Sequence, residues 1–333
     1  MVKAFVFGKF LPFHKGHEAM IHFALTKCDF LTILVCCSEK ETIPASIRKT
    51  WIEKDFEMHK NIEVKTFNYL ESELPNTSVS SQEISKIWAE KFKTLVPNYD
   101  VVITSEEYGN YVASYMGIKH IPFDVPRLFF PISATAIRSD LFANWNFLPN
   151  SVKPYFCIKT VILGTESTGK TTLTEQLAQH YKCTSVKEVG RDLIANSNAF
   201  SFNDLYRVAS EHAKQIDEAT LGKSPLIIID SDIHITKSYA KFAFNKELEV
   251  DDKIYNSNKA DLYLYLNNDV AYVQDGTRLS EIDRNLLDIS HREILKQYKI
   301  DFVEIKGNWK ERFEKAVEQI NQLIIIKRKK YQM

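Results

Sequence analysis

Short apolar runs alternate along the chain with longer amphipathic stretches. In the first part of the chain, runs rich in β-branched and aromatic residues predict strands at residues 3–7, 31–37, 62–67, 101–104 and 119–124. Stretches with apolar residues at helical spacing predict helices at residues 16–27, 46–58 and 83–95. Strands that alternate with helices in this manner predict βαβ units and a mostly parallel sheet.

The same alternation begins again after a turn-rich join at residues 148–154. Further strands are predicted at residues 158–163, 226–229, 262–266 and 302–305, and a last helix at about 309–325. A length of 333 residues also exceeds what one compact domain usually holds. The pattern therefore predicts an α/β protein with two doubly wound parallel-sheet domains, at residues 1–152 and 153–333.

Composition narrows the class of protein. Basic and acidic residues number 43 each, and this balance gives no reason to expect a nucleic acid as partner. The five cysteines form no CxxC pair and no metal-ligand spacing, which favours reduced thiols. The stretch before the first motif is too short for a signal peptide, and no apolar run is long enough to span a bilayer. We expect a cytoplasmic protein without stable membrane insertion.

A phosphate-handling motif, Gly-Lys-Phe-Leu-Pro-Phe-His-Lys-Gly-His, follows the first predicted strand at residues 8–17. His14 and His17 are three residues apart at a helix start, so both rings can point at one phosphate with helix N–H groups behind them. Gly16 allows close backbone approach, and Lys9 and Lys15 add positive charge. This chemistry suits adenylyl transfer, which needs no protein nucleophile but must hold two anions in line.

This string resembles the nucleotidyltransferases of the HxGH type, in which Gly8 and Phe10 also belong to the motif. That family needs a second element, Ile-Ser-x4-Arg, and residues 132–138 supply it. Ser133 and Thr135 can cap a helix and donate to a phosphate, and Arg138 can clamp the β- or γ-phosphate. The resemblance implies a Rossmann-like nucleotidyltransferase domain in the first half.

The second half opens on a P-loop at residues 164–171, Gly-x4-Gly-Lys-Thr, between a predicted strand and a predicted helix. Its backbone N–H groups would cradle phosphates, Lys170 would reach the β- and γ-phosphates, and the Thr171 hydroxyl would ligate Mg²⁺. The nucleotide-binding candidates here are Gly164, Glu166, Ser167, Thr168, Gly169, Lys170, Thr171 and Thr172. The motif predicts a P-loop kinase domain that uses ATP and Mg²⁺.

Acidic and basic residues accompany the P-loop. Asp230 and Asp232 follow a predicted strand. One should hold Mg²⁺ through water, and the other should orient or deprotonate the acceptor hydroxyl; the candidate metal ligands are Thr171 and Asp230. The residues alone do not assign these two roles. Basic residues that fit a lid over the transferring phosphoryl group are Arg278 and Arg284. The string at 188–191 adds Glu188 and Arg191 as binding candidates.

The order of these motifs resembles the NadR family, bifunctional nicotinamide-nucleotide adenylyltransferases and ribosylnicotinamide kinases, over about residues 3–325. The matching strings lie at residues 7–17, 104–107, 132–138, 152–156, 164–170, 188–191, 229–232 and 275–278. The resemblance implies that the C-terminal domain phosphorylates nicotinamide riboside to nicotinamide mononucleotide (NMN) with ATP. It implies that the N-terminal domain adenylylates NMN with ATP to NAD and pyrophosphate.

The resemblance also implies ligands and partners: ATP, nicotinamide riboside, NMN and NAD. A functional link to a riboside transporter and a homo-oligomeric state are compatible with it. Some family members carry an N-terminal helix-turn-helix domain, but Gly8 already lies in the catalytic motif, so we expect the form without that domain. The aromatic residue that would stack on nicotinamide is not identified; the candidates are Trp88, Trp145, Tyr206 and Tyr239.

Two other functions use the same features. A fused phosphopantetheine adenylyltransferase and dephospho-coenzyme A kinase would carry both motif types in the same order, although the strings at 188–191 and 230–232 favour the nicotinamide substrates. A regulatory protein that senses ATP or NAD with low turnover is the second alternative. The intact set His14, His17, Lys170 and Thr171 argues for retained chemistry.

Overall fold

A computed structural model describes residues 1–76, 81–193, 200–272 and 279–331. These residues form two compact units, Met1–Lys153 and Pro154–Tyr331. Each unit is built around one five-stranded parallel sheet with helices between its strands, so the predicted α/β class with two parallel sheets is confirmed. No helix within the described ranges is both long and apolar enough to cross a membrane.

The first unit has the strand order β3-β2-β1-β4-β5. Its strands are β1 (Lys3–Gly8), β2 (Phe30–Ser38), β3 (Ile62–Tyr69), β4 (Val101–Thr104) and β5 (Lys119–Pro122). Its helices are α1 (Lys15–Leu25), α2 (Ala45–Asp55), α3 (Gln82–Leu95), α4 (Tyr108–Met116) and α5 (Ala134–Ser139), followed by a 3₁₀ turn (Trp145–Phe147). The order reverses between β1 and β4, and in such sheets ligands bind outside the carboxyl ends of the strands at this point.

The core of the first unit explains why β1 lies in the middle of its sheet. Phe5 is fully buried and its ring lies 5.5 Å from that of Phe92, on α3. Its neighbours Ala4 and Val6 point to the opposite face of the strand and are fully buried as well, so both faces of β1 are covered. The strand ends at Gly8, where the chain leaves the core and enters the first motif.

The second unit has the strand order β10-β9-β6-β8-β7. After a short helix, α6 (Lys153–Phe156), its strands are β6 (Ile158–Leu163), β7 (Thr184–Val186), β8 (Leu226–Asp230), β9 (Leu262–Leu266) and β10 (Val303–Ile305). Its other helices are α7 (Lys170–Tyr181), α8 (Gly190–Leu193), α9 (Phe202–Ala219), α10 (Ile233–Phe244), α11 (Asp252–Asn258), α12 (Glu281–Gln297) and α13 (Trp309–Tyr331). The central strand β6 delivers the P-loop, with β8 on one side and β9 on the other.

The strand β5 is shorter than its pattern predicts. The apolar run at 119–124 suggests a longer strand, but β5 ends at Pro122. The Asp124 carboxylate accepts hydrogen bonds from the backbone N–H groups of Leu128, Phe129 and Phe130 at 2.8–3.1 Å. These local bonds replace strand pairing and turn the chain into a loop.

Candidate active sites

The first candidate site is a cavity of about 200 Å³ at the reversal point of the first sheet. Its wall includes His14 and His17 from the first motif and Ser133 and Thr135 from the second. Arg127, from the loop after β5, lines the same cavity. The fold thus brings together the two strings that the sequence places more than a hundred residues apart.

The two histidines form a stacked pair at the start of α1. The Nδ1 atom of His14 accepts the N–H of Gly16 at 3.1 Å and so caps the helix. The His14 and His17 ring centroids are 3.6 Å apart. A Cβ atom at Gly16 would lie 3.1 Å from the His14 ring, which explains why glycine suits this position. The helix start therefore fixes both rings on the cavity wall.

Both imidazoles are neutral at physiological pH. Burial, assisted by the nearby charge of Arg127, lowers the pKa of His14 to about 3. Burial, then His14 and Arg127, also lowers the pKa of His17. Because Nδ1 of His14 accepts a hydrogen bond, its proton is assigned to Nε2. The pair can therefore donate hydrogen bonds to a phosphate, and Arg127 rather than histidine supplies the charge.

This pKa shift predicts a pH-dependent stability of the first unit. A histidine with a lowered folded pKa stabilises the fold fully above its unfolded pKa of about 6.5, and this stabilisation is lost as the pH falls from there toward 3. Between pH 7 and pH 5 the His14 contribution should fall by about 2 kcal/mol. The variant His14→Asn keeps a good helix cap but has no imidazole. From pH 7 to pH 5 its free energy of unfolding should therefore fall by about 2 kcal/mol less than that of the parent protein. Denaturant titrations at both pH values, followed by tryptophan fluorescence, measure this difference; an equal fall in both proteins would contradict it.

The second motif is joined directly to the first. Ser133 caps α5 by accepting the N–H of Ala136 at 3.1 Å. Arg138, on the same helix, donates to the Leu11 carbonyl and, at 3.2 Å, to the Thr135 hydroxyl. Burial lowers the pKa of Arg138, but an arginine remains charged. Arg138 thus ties helix α5 to the loop after β1, and its role as a phosphate clamp stays a prediction.

The other predicted residues of the first motif lie in the core, in an ion pair or on the surface. Phe10 is buried, and its ring lies 4.9 Å from that of His17, so it supports the histidine pair from the core. Gly8 lies against the Phe10 ring. Lys9 forms an ion pair with Glu41 at 2.9 Å, and Lys15 is exposed at the start of α1.

Sequence reasoning missed two arginines. Arg48, on α2, is fully buried; it donates to the Lys9 carbonyl at 2.6 Å and pairs with Glu41 at 2.7 Å, so it holds the loop after β1. Its place one helical turn before the buried Trp51 was the available signal. Arg127 pairs with Glu106 beside the cavity. Its irregular loop carries no periodic signal that could have revealed it.

The second candidate site is the P-loop after β6. Lys170 is buried, and its Nζ donates to the Thr165 carbonyl at 3.1 Å. The Thr171 hydroxyl donates to Asp230 Oδ2 at 2.6 Å. A hydroxyl and a carboxylate side by side at a P-loop are the oxygen ligands that Mg²⁺ prefers. Thr171 and Asp230 therefore have the chemistry to hold a magnesium ion, and the predicted metal site stays a prediction.

The two aspartates have different surroundings. Asp232 caps α10: its Oδ1 accepts the N–H groups of His234 at 2.9 Å and Ile235 at 3.2 Å, and its Oδ2 pairs with the His234 ring. Ser231 between the aspartates has φ 71°, and this left-handed turn separates the two side chains. The geometry favours Asp230 as the metal ligand and Asp232 as the anchor of α10.

Asparagine substitutions test this distinction. Asp230→Asn should raise the Mg²⁺ concentration needed for half-maximal kinase rate, because it removes a charged ligand. Asp232→Asn should leave that concentration unchanged, because asparagine also caps a helix and Asp232 faces His234. The measurement is the initial phosphorylation rate against free Mg²⁺ for both variants. Equal losses of rate with no shift in Mg²⁺ requirement would count against the metal role of Asp230.

Glu166 links the P-loop to its surroundings. Its Oε2 accepts the Leu279 N–H at 3.0 Å, and its Oε1 accepts the Tyr239 hydroxyl at 3.3 Å. Of the predicted nicotinamide-stacking candidates, Tyr239 thus contacts the P-loop. Trp145 is buried in the core, Trp88 donates to the Pro75 carbonyl, and Tyr206 bonds to Asp251.

The remaining predicted residues lie around this site. Gly164, Ser167 (φ 61°), Thr168 and Gly169 form the P-loop turn, and Thr172 is exposed on the first turn of α7. Glu188 lies just after β7, and α8 carries Arg191, whose side chain falls outside the described part of the chain. Arg278 also lies outside the described residues.

Arg284 is buried on α12, where its guanidinium lies 5.1 Å from the Tyr272 ring centroid. Its Nε and Nη1 atoms have no hydrogen-bond partner within the described residues. Its Nη2 atom lies 3.7 Å from a carboxylate oxygen of Glu281, so one anion already meets this buried charge while two of its nitrogen atoms remain available. Two turns further on α12, His291 bonds to Ser238 at 2.7 Å, and burial and Lys170 lower its pKa to about 3. The pattern of α12 did not reveal His291.

Known proteins resemble this chain in sequence and in fold. The family model of the AAA domain matches residues 159–312. The chain is 31% identical to the trifunctional NAD biosynthesis/regulator protein NadR of Escherichia coli K12, with 96% of this chain and 82% of that protein covered. The protein of the same name from Salmonella typhimurium LT2 is 30% identical with the same coverage.

Two solved structures share the fold along almost the whole chain. A NadR protein in complex with NAD and AMP-PNP gives a TM-score of 0.67 at 18% identity, covering 97% of this chain and 96% of that one. A NadR protein in complex with NR gives a TM-score of 0.67 at 19% identity, covering 96% and 95%.

Proposed function

Since the chain belongs to the NadR family, we propose that it performs two ATP-dependent steps of NAD biosynthesis. The C-terminal domain, residues 153–333, phosphorylates nicotinamide riboside to NMN. The N-terminal domain, residues 1–152, transfers the adenylyl group of a second ATP to NMN and releases NAD and pyrophosphate. The relatives' name as NAD biosynthesis proteins, and the NAD, AMP-PNP and NR held by the related structures, support these ligands.

The observation that supports the proposal is that each unit has, at the carboxyl edge of its sheet, its own cluster of groups suited to phosphate. In the first unit this is the stacked pair His14 and His17 with Arg127. In the second unit it is the P-loop with Thr171 bonded to Asp230. One site type suits adenylyl transfer and the other suits phosphoryl transfer, so two reactions fit the chain better than one.

In the kinase step, the riboside hydroxyl attacks the γ-phosphate of ATP, its proton is lost, and ADP leaves. Positioning and charge neutralisation provide most of the catalysis in such transfers. Lys170 supplies positive charge at the P-loop, and Thr171 and Asp230 would hold Mg²⁺, which neutralises charge on the β- and γ-phosphates when bound. Asp232 anchors α10, which carries Tyr239 to the P-loop, so it acts as a positioning residue.

In the adenylyl step, an oxygen of the NMN phosphate attacks the α-phosphate of ATP, and pyrophosphate leaves. Charge that builds on the α-phosphate needs donors that are already in place. The neutral rings of His14 and His17 donate hydrogen bonds without carrying charge. Arg127 adds positive charge to the same cavity, and the hydroxyls of Ser133 and Thr135 complete its donors.

The test is to incubate the pure protein with Mg-ATP and nicotinamide riboside and to follow NMN, NAD, ADP and pyrophosphate by chromatography. We expect NMN first and NAD afterwards, with ADP released before pyrophosphate. Turnover of phosphopantetheine or dephospho-coenzyme A instead of the riboside would move the assignment to the coenzyme A pathway enzymes. Slow turnover together with tight NAD binding would support the regulatory sensor.

A further inference from the structure

An aromatic ring lies directly on the P-loop. Trp309 is the first residue of α13, and a Cβ atom built at Gly169 would overlap the Cη2 and Cζ3 atoms of its ring. Gly169 has φ +90°, so a side chain there would be strained as well as blocked. The Trp309 ring therefore occupies the space that a side chain at Gly169 would fill, next to Lys170.

A buried arginine lies beside this ring. Arg312, one turn along α13, donates to the carbonyls of Gly307 and Thr168 at 2.8 Å and of Asn267 at 3.0 Å, and it pairs with Asp269. Its guanidinium carbon lies 5.8 Å from the Trp309 ring centroid. These bonds connect the P-loop backbone to the ends of β9 and β10. The ring thus lies next to the guanidinium that joins these elements and against the P-loop backbone.

Trp309 is nevertheless 50% exposed. Tryptophan is on average a highly buried residue, so a ring with half its surface in water leaves apolar area for a ligand to cover. Any nucleobase can stack on such a ring, because every base has a π face. The ring and the phosphate-binding loop together fit a nucleotide.

The strand order indicates which end of the nucleotide meets this ring. The P-loop follows central β6; Asp230 ends β8 on one side, and Trp309 follows β10 on the other. In phosphoryl transfer the attacking and leaving oxygens lie roughly in line across the γ-phosphate. If the acceptor substrate binds on the Asp230 side, the nucleoside part of the phosphoryl donor extends toward β9 and β10.

We propose that Trp309 stacks on the purine base of the nucleotide that donates the phosphoryl group at this P-loop. The inference rests on the proposed kinase function only in taking a nucleoside triphosphate as donor. Trp309 would then set the affinity for the donor, while Lys170, Thr171 and Asp230 act on its phosphates.

Fluorescence tests the stack without any assay of turnover. The other tryptophans of the sequence, Trp51, Trp88 and Trp145, precede residue 153, so Trp309 is the one tryptophan of the C-terminal half. ADP should quench emission in the full-length protein, and the part of the quench due to stacking should be absent in Trp309→Phe. Tripolyphosphate, which lacks a base, should not reproduce that part. An ADP-induced change identical in both proteins, or an equal effect of tripolyphosphate, would overturn the proposal.

Kinetics provide the second test. Trp309→Leu keeps an apolar group against Gly169 but removes the π face, and it should raise the KM for ATP in riboside phosphorylation about tenfold or more with little change in kcat. Trp309→Tyr should restore most of the affinity. Ile326→Ala, an exposed residue on the same helix, is the matched control and should leave KM unchanged.

The two hypotheses fail in different ways. An unchanged KM in Trp309→Leu, with the riboside phosphorylated normally, would overturn the stack alone. Absence of riboside phosphorylation by the unaltered protein would overturn the proposed function, and the ADP titration would still decide whether Trp309 meets the base.

Discussion

Replacement of Lys170 by alanine is expected to lower riboside kinase turnover by about 10²–10³-fold and to leave adenylyl transfer from ATP to NMN unchanged. The expected size is that of losing one preorganised charge or donor at the transition state. Lys170 is buried and held by the Thr165 carbonyl at 3.1 Å, so it is oriented before substrate arrives. Both activities should be measured separately on the same preparation, with NMN supplied for the second.

A matched control keeps this result specific. Lys214, on α9, has a side chain that is 64% exposed, and Lys214→Ala should retain both activities. Lys170→Arg keeps the positive charge in a different geometry and should recover little activity, because arginine and lysine are not interchangeable at a phosphate site. If Lys170→Ala abolished both activities in a protein that unfolds like the parent, the assignment of two independent sites would fail.

The reverse pattern is expected for His17. His17→Ala should lower adenylyl transfer by about 10²–10³-fold, the loss expected for one oriented hydrogen-bond donor, and should leave riboside phosphorylation unchanged. The His17 ring stacks on His14 at 3.6 Å, so its removal also loosens the cavity wall. His17→Asn retains a donor and should lose less activity than His17→Ala. The rate of NAD formation from NMN and ATP measures the effect.

The control for His17 lies on the same helix. His22 is in the last turn of α1, where its ring lies 4.8 Å from that of Phe56, outside the cavity. His22→Ala should therefore keep both activities. The His17 variants should unfold at the same temperature as the parent protein. A lower rate of adenylyl transfer can then be attributed to the missing imidazole and not to unfolding. An unimpaired adenylyl transfer in His17→Ala would remove the histidine pair from the mechanism.

The local sequence pattern was enough to predict those features that depend on interactions between residues close in sequence. The strands at 101–104, 158–163 and 262–266 have the predicted bounds, because four to six apolar residues between turns have few alternatives to a buried strand. The start of α1 at the histidine pair and the start of α7 at the P-loop follow from the same short-range rules. Several other ends differ from the prediction: β3 continues to Tyr69 and helix α2 stops at Asp55. The strand β5 stops at Pro122, where side-chain bonds from Asp124 compete with strand pairing.

The amino-acid sequence by itself determined the α/β class, the two motifs and the pairing of a hydroxyl at Thr171 with a carboxylate after a buried strand. Only the tertiary structure distinguished Asp230 from Asp232, placed Arg48 and Arg127 around the first motif, and brought Trp309 onto Gly169. The physical reason is the distance along the sequence over which each interaction acts. Helix starts and strand runs depend on backbone hydrogen bonds and side chains within a few residues, whereas these contacts join elements whose separation in sequence carries no periodic signal.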